Sequence, residues 1–140
     1  MDRNVQLTLT GIQQDPEGGE TVTELSTEAE YFEQNSAVYI LYEEHTEDGG
    51  LIKSRIKLKN LLLEVARKGA MNTYMAFEAG REHMTEYTTP SGTIHMGILT
   101  HSVTAEPSKD ELTITADYSL TASGEEISRC KISIKIHDRI

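Results

Sequence analysis

Apolar and polar side chains alternate one for one along most of this 140-residue chain. The clearest apolar series are Val5, Leu7 and Leu9; Ile94, Met96 and Ile98; Leu112, Ile114 and Ala116; and Ile132, Ile134 and Ile136. A period of two separates the side chains of a β-strand onto two faces, one buried and one in water. The many threonines agree, because β-branched side chains pack well on a pleated surface. The pattern therefore predicts half-buried strands.

Clusters of Gly, Asp, Ser and Pro interrupt the alternation and mark turns. They lie at 15–19, 47–50, 89–92, 107–110 and 123–125. Between the breaks we predict strands at 3–13, 22–34, 37–46, 51–58, 61–67, 70–78, 82–89, 93–104, 111–122 and 126–137. Such close spacing leaves no room for crossover helices and indicates consecutive hairpins. Segment 61–67 is ambiguous, since its leucines also fit a helical turn.

An antiparallel sheet of about 8–10 strands must bury its apolar face and protect its edges. Closing an up-and-down meander into a barrel does both, and a barrel of about eight strands is filled by side chains or holds one small ligand. A two-sheet sandwich is the alternative, and alternation does not separate the two. We expect an all-β chain with one domain over 1–140.

The chain is acidic, with 13 Lys and Arg against 23 Asp and Glu and a formal net charge of -10. Phosphates favour clustered Lys and Arg, so we expect no nucleic acid and no membrane as partners. The sequence shows no signal peptide and no apolar run that could span a bilayer. Its single cysteine rules out an internal disulfide. These features predict a cytoplasmic protein.

Several blocks between residue 50 and the C-terminus resemble a known family. They are the strand and turn at 69–80, the segment Tyr87-Thr88-Thr89-Pro90-Ser91-Gly92 with Thr93 to Met96, and the late strands at 117–120 and 132–136. Their order is similar to that of the YwiB-like family of uncharacterised small bacterial proteins. The resemblance implies a lipocalin-like (calycin) β-barrel and no activity. The chain lacks the tryptophan of true lipocalins, so a secreted carrier role is not implied.

No catalytic or metal-binding constellation is recognisable. The histidines lack metal-ligand spacing, and the strings of carboxylates lie on outward faces. Cys130 is in phase with apolar residues, which predicts an inert core thiol. Dinucleotide, phosphate-loop and nucleophile-elbow motifs are missing from the sequence. We therefore predict no cofactor, no metal and no catalytic residue, and the balance favours a protein that is not an enzyme.

A few polar residues share the inward phase of the apolar ones. Tyr42, Thr73, Thr100 and Tyr118 are of this kind, and Tyr87 belongs to the family-like block. Met75 and Met96, together with Met71, would give adaptable apolar walls. An inward hydroxyl needs a partner, because an unpaired one costs about 1–3 kcal/mol. These seven residues, Tyr42, Thr73, Met75, Tyr87, Met96, Thr100 and Tyr118, therefore form a candidate ligand site, or else an internal hydrogen-bond network in a filled core.

Two functions follow from these alternatives. The first is a non-enzymatic module that binds a small amphipathic ligand in the barrel or at its rim. The second is a structural or protein-interaction barrel, with a homodimer as one form of it. Its contact surface would include Ile12, Tyr39 and Leu41, which the alternation places on outer faces.

Overall fold

Ten antiparallel strands form one meander sheet in the computed structural model, which describes residues 3–89 and 92–138. The strands are β1 (Arg3–Gln14), β2 (Glu20–Gln34), β3 (Ala37–His45), β4 (Leu51–Lys59), β5 (Leu62–Gly69), β6 (Thr73–Phe77), β7 (Glu82–Thr89), β8 (Gly92–Pro107), β9 (Glu111–Ala122) and β10 (Glu125–Asp138). Their order in the sheet is β6-β5-β4-β3-β2-β1-β10-β9-β8-β7. The all-β meander is confirmed, and the described residues contain no helix.

The sheet curls until its edge strands, β6 and β7, lie side by side. The Thr85 hydroxyl donates to the Tyr74 carbonyl at 2.6 Å, and the Gly80 amide donates to the Thr100 carbonyl at 2.9 Å. Within the described ranges no backbone ladder joins β6 to β7. The result is a nearly closed barrel rather than a sandwich, and we call the junction of β6 and β7 the seam.

Two tight turns have no glycine and no proline to announce them. Asn35 and Ser36 have φ of 54° and 65°, and Asn60 and Leu61 have φ of 52° and 59°. Positive φ at both central residues is the hairpin turn whose twist matches the flanking strands. The second turn leads directly into β5, so segment 61–67 is a strand, and the helical alternative is wrong.

Other strand boundaries differ from the predicted ones by a few residues. The predicted strand 70–78 is shortened to Thr73–Phe77 because residues 70–72 form the turn after β5. The predicted strand 93–104 extends to Gly92–Pro107. A bulge between Thr100 and Ser102 shifts its register by one residue, which returns Val103 to the interior. The turn residues Pro90 and Ser91 lie outside the described residues.

The interior is packed with aliphatic side chains from nearly every strand. Those with no exposed surface are Val5, Leu7, Ile40, Leu63, Phe77, Ile98, Ile114, Ala116 and Ile134. Cys130 is buried among them as predicted, and burial raises the pKa of its thiol. Met71 is not part of this core, since it lies in the turn before β6 and is 43% exposed.

Candidate binding site

A row of four polar side chains crosses the inner face of β3–β6. Successive ladder pairs join Tyr42 to Ser54, Ser54 to Arg67 and Arg67 to Thr73. Directly paired residues have Cβ atoms about 5 Å apart, so these side chains are lateral neighbours. We call them the polar row. On the side of the β4–β5 and β6–β7 turns, the next inward row is entirely apolar: Ile40, Ile56, Val65 and Met75.

Two hydroxyls of the polar row are buried without a partner. Tyr42 and Ser54 are only 3% and 4% exposed. Neither Tyr42 Oη nor Ser54 Oγ has a hydrogen-bond partner among the described residues. Most buried side-chain polar atoms in proteins are paired. Two neighbouring exceptions on one wall are therefore places where an additional hydrogen-bonding group fits.

The charged members of this region are only loosely paired. Arg67 Nη2 lies 4.0 Å from Glu44 Oε1, and Arg67 Nη1 lies 3.8 Å from Met71 Sδ. The first distance is too long for a good N–H···O bond, and the second is that of a weak N–H···S hydrogen bond. Glu44 Oε1 has no hydrogen-bond partner within the part of the chain described. The guanidinium has five donors in a fixed plane, so Arg67 retains donors for another acceptor.

Local backbone geometry places Arg67 at this end of the barrel. Gly69 is the last residue of β5 and has φ of 117°, and a Cβ there would lie 2.2 Å from the Leu51 carbonyl oxygen. Only glycine permits so close an approach. The same carbonyl accepts the amide of Ala70 at 2.9 Å. The turns after β3 and β5 are thereby brought to one end, with Glu44 and Arg67 just inside it.

A groove of about 800 Å³ opens where β2 and β3 part. The β2–β3 ladder covers only Glu30–Gln34 of β2, whereas β2 pairs with β1 from Glu20 to Tyr31. Tyr42 and Ser54 contribute to the groove wall. Its charged lining residues have both signs: Glu28, Glu30, Glu43, Lys53, Arg55 and Lys68. The volume lies within the range of small-molecule sites.

A smaller pocket of about 410 Å³ lies at the seam. Arg67 and Thr73 of the polar row line it together with Thr85. Tyr74 and Met84, which are 47% and 68% exposed, supply apolar surface. The polar row therefore adjoins one concavity through its Tyr42 end and another through its Thr73 end.

The residues predicted from sequence as a ligand site lie in different parts of the barrel. Tyr42 and Thr73 belong to the polar row, and Met75 and Met96 pack against the core. Thr100 and Tyr118 are ladder partners on β8 and β9, where Tyr118 packs edge-on against Phe77 at 4.8 Å. The side chain of Tyr87 lies outside the described residues. Their role as ligand contacts remains a prediction.

Three residues of this region were not predicted from the sequence, although their phase was visible. Ser54 lies between Ile52 and Ile56, and Arg67 is in phase with Leu63 and Val65. Glu44 continues the inward series of Ile40 and Tyr42. A serine or charge at such a position is inconspicuous in sequence, because only strand register brings the three together.

The histidines and acids form no metal cage in the described ranges. His95 pairs with Glu86 at 3.4 Å on the exposed face. His101 shares a hydrogen bond of 2.8 Å with Ser119. The part of the chain described has no helix long and apolar enough to cross a membrane.

Comparison with known proteins gives a family and a fold. A family model described as "Domain of unknown function (DUF1934)" matches residues 7–134. The crystal structure of the ywiB protein from Bacillus subtilis matches with a TM-score of 0.85 and 19% sequence identity, covering 99% of this chain and 94% of that one. No curated protein matches. The resemblance to YwiB-like proteins is confirmed, while a wider lipocalin-like relationship remains a prediction.

Proposed function

We propose that this chain, which belongs to the family described as a domain of unknown function (DUF1934), is a non-enzymatic barrel that binds a small amphipathic molecule. The observation that carries the proposal is the pair of buried, unpartnered hydroxyls of Tyr42 and Ser54 beside an open groove. We propose a cytoplasmic location as well, in keeping with a buried free cysteine.

The energetic argument concerns what these hydroxyls cost in the empty protein. Leaving a buried hydroxyl unpaired costs about 1–3 kcal/mol, whereas a phenylalanine or alanine of similar shape would avoid that cost. A ligand that hydrogen-bonds to both groups would recover it on binding. The apolar rows next to Tyr42 and Ser54 suit the non-polar part of such a ligand.

The proposed site is one end of the barrel and not its centre. Ile40, Leu63, Ile98 and Ile134 fill the middle with no exposed surface. The groove and the seam pocket are both open to the outside and both adjoin the polar row. A compact molecule whose polar end contacts the row therefore fits better than a long chain threaded through the barrel.

Native mass spectrometry of protein purified without denaturation tests the proposal. We expect a bound species of discrete mass that is reduced in Tyr42→Phe. We also expect the ligand-free Tyr42→Phe protein to be as stable as the original or more stable, by about 1 kcal/mol, in urea unfolding. Tyr39→Phe, on the outer face of the same strand, is the matched control and should change neither result. A Tyr42→Phe protein that is clearly less stable would favour a filled core with an internal network.

A second candidate function is a protein-interaction barrel that forms a homodimer. The rings of Phe32 and Tyr39 stack on the outer face at 4.9 Å, and Lys57 Nζ lies 5.7 Å from the centre of the Tyr39 ring. Both side chains are half-buried, and aromatic residues on an outer face are enriched in interfaces. Light scattering over a range of concentrations distinguishes the two: a concentration-dependent dimer that Tyr39→Ser abolishes would support this candidate, and a monomer throughout would count against it.

A further inference from the structure

The feature with most left to explain is the charged pair at the end of the polar row. Arg67 and Glu44 are 30% and 26% exposed and lie 4.0 Å apart. Such a separation retains Coulomb attraction but not the short, aligned bonds of a well-formed arginine–carboxylate pair. Within the described residues this inward arginine has Glu44 at ion-pair distance and the Met71 sulfur as a weak acceptor. Neither is the close oxygen partner that inward arginines normally have.

The surrounding groups are arranged for an anion. Arg67 offers its planar set of N–H donors. The Tyr42 and Ser54 hydroxyls lie in the same ladder row, and neither donates a hydrogen bond to an acceptor in the described residues. A carboxylate or phosphate has several lone pairs and accepts such bonds simultaneously. A neutral head group would add no negative charge beside the Arg67 guanidinium, and a cationic head group would be repelled by it.

Glu44 acts in this arrangement as a resident carboxylate. It lies near the end of β3, one residue before His45, where the chain enters the turn to β4. From there its carboxylate partly neutralises Arg67 when the site is empty, at a distance that leaves it easy to displace. A ligand anion would take its place beside Arg67, and Glu44 would turn toward the water it already contacts.

The seam pocket supplies space for the rest of the ligand. Its volume of about 410 Å³ is lined by polar, charged and apolar side chains: Arg67, Lys68, Asn72, Thr73, Tyr74, Met84, Thr85 and Glu86. A polar end with an aromatic and a thioether wall suits a short amphiphile.

We propose that the ligand of this barrel is an acidic amphiphile, a carboxylate or phosphate monoester, whose anionic group binds Arg67, Tyr42 and Ser54 in place of Glu44. This inference rests on the proposed binding function and adds the charge class of the ligand. The anion could be a carboxylate or a phosphate, since both present the same acceptor geometry to an arginine.

A set of four probes with one tail tests the inference: octanoate, octyl phosphate, octanol and octylammonium, titrated by calorimetry into the full chain. We expect one or both anions to bind at least about tenfold more tightly than octanol, as one charge-assisted hydrogen bond would give. Octylammonium should not bind. Which of the two anions binds more tightly identifies the source of the acidic group.

Variants then locate the anion. Arg67→Met should remove the preference for anions, and Arg67→Lys should retain part of it if the methionine variant does not fold. Arg129→Met, exposed on the outer face of β10 and outside the lining of both the groove and the seam pocket, is the matched control and should leave it unchanged. Glu44→Gln should strengthen anion binding, because the competing carboxylate is gone.

Each contrary result has a defined meaning. Equal binding of octanol and octanoate, or full anion preference in Arg67→Met, overturns the inference while the proposed binding function stands on native mass spectrometry and Tyr42→Phe. Failure of all four probes to bind also overturns it. Absence of any bound species together with a destabilised Tyr42→Phe overturns the proposed function itself.

Discussion

Individual side chains on the two faces of the same strands have different electrostatic environments. Inside, Arg67 and Glu44 meet at the limit of ion-pair distance. On the outer face of β5 and β6, the Tyr74 hydroxyl of β6 donates a hydrogen bond to the Glu64 carboxylate of β5. This bond, with burial and the negative charge of Glu64 adding to it, raises the pKa of Tyr74 to about 12.

The raised pKa of Tyr74 predicts a pH dependence. Tyr74 binds its proton more tightly in the folded state than in the unfolded chain, where tyrosine titrates near 10. The stabilisation is therefore complete below about pH 10 and is lost as the pH rises through about 12. Ultraviolet titration of phenolate should include a late step near pH 12 that belongs to Tyr74. Glu64→Gln should move that step to lower pH; an unchanged curve would assign the late step to another tyrosine.

At the scale of the elements, the sequence predicted which face of a strand a side chain lies on, but not which residues of neighbouring strands pair. The alternation of side chains is a local property of each strand, so the sequence alone showed that Tyr42, Thr73 and Thr100 share the phase of the inward apolar residues. The row of Tyr42, Ser54 and Arg67 depends on the pairing of Tyr42 with Ser54 and of Ser54 with Arg67. Those pairs are set by turn length and by the ladders between strands, which no single strand encodes. The turn at Asn60-Leu61 shows the same limit, because a leucine with positive φ gives no sequence signal.

That turn predicts a stabilising substitution. Leu61 adopts φ of 59° with its side chain 50% exposed, so it bears the steric cost of a left-handed conformation without burying much surface. Leu61→Gly should therefore raise the free energy of unfolding by about 1 kcal/mol. Urea unfolding measures it as a higher midpoint with an unchanged slope. Asn60→Gly should have a smaller effect, since asparagine tolerates this conformation. A lower midpoint for Leu61→Gly would mean that its side chain contributes to packing.

At the scale of the whole molecule, the barrel was predictable and its site was not. Alternation with hairpin spacing indicated an antiparallel meander, and the resemblance to the YwiB-like family implied that it closes into a barrel. The structure has the form of a nearly closed barrel. Where the circle stays incomplete is a non-local property: the β2–β3 ladder covers only Glu30–Gln34 of β2, and the short β6 forms no ladder with β7 in the described ranges. The proposed site lies beside both interruptions of the ladder, the parting of β2 and β3 and the seam.

The seam predicts uneven protection of backbone amides against hydrogen exchange. Strand β6 has a ladder on one side only, whereas β9 is paired on both sides. Amides of Thr73–Phe77 should exchange faster than those of β9. Thr85→Val removes the hydroxyl bond to Tyr74 and should speed exchange in β6 by the equivalent of about 1 kcal/mol, with β9 unaffected. Equal protection of β6 and β9 would show that the seam holds as firmly as a ladder.

The order of strands also bears on biosynthesis. Strand β1 is translated first, yet one of its two neighbours is β10, with Val5 opposite Asp138. During synthesis the nascent chain can form hairpins in sequence, but one side of β1 stays without a partner until the tenth strand leaves the ribosome. An unsatisfied strand edge of this kind pairs readily with other chains. The interval before β10 emerges is thus when this protein is most exposed to misassociation and most in need of chaperones.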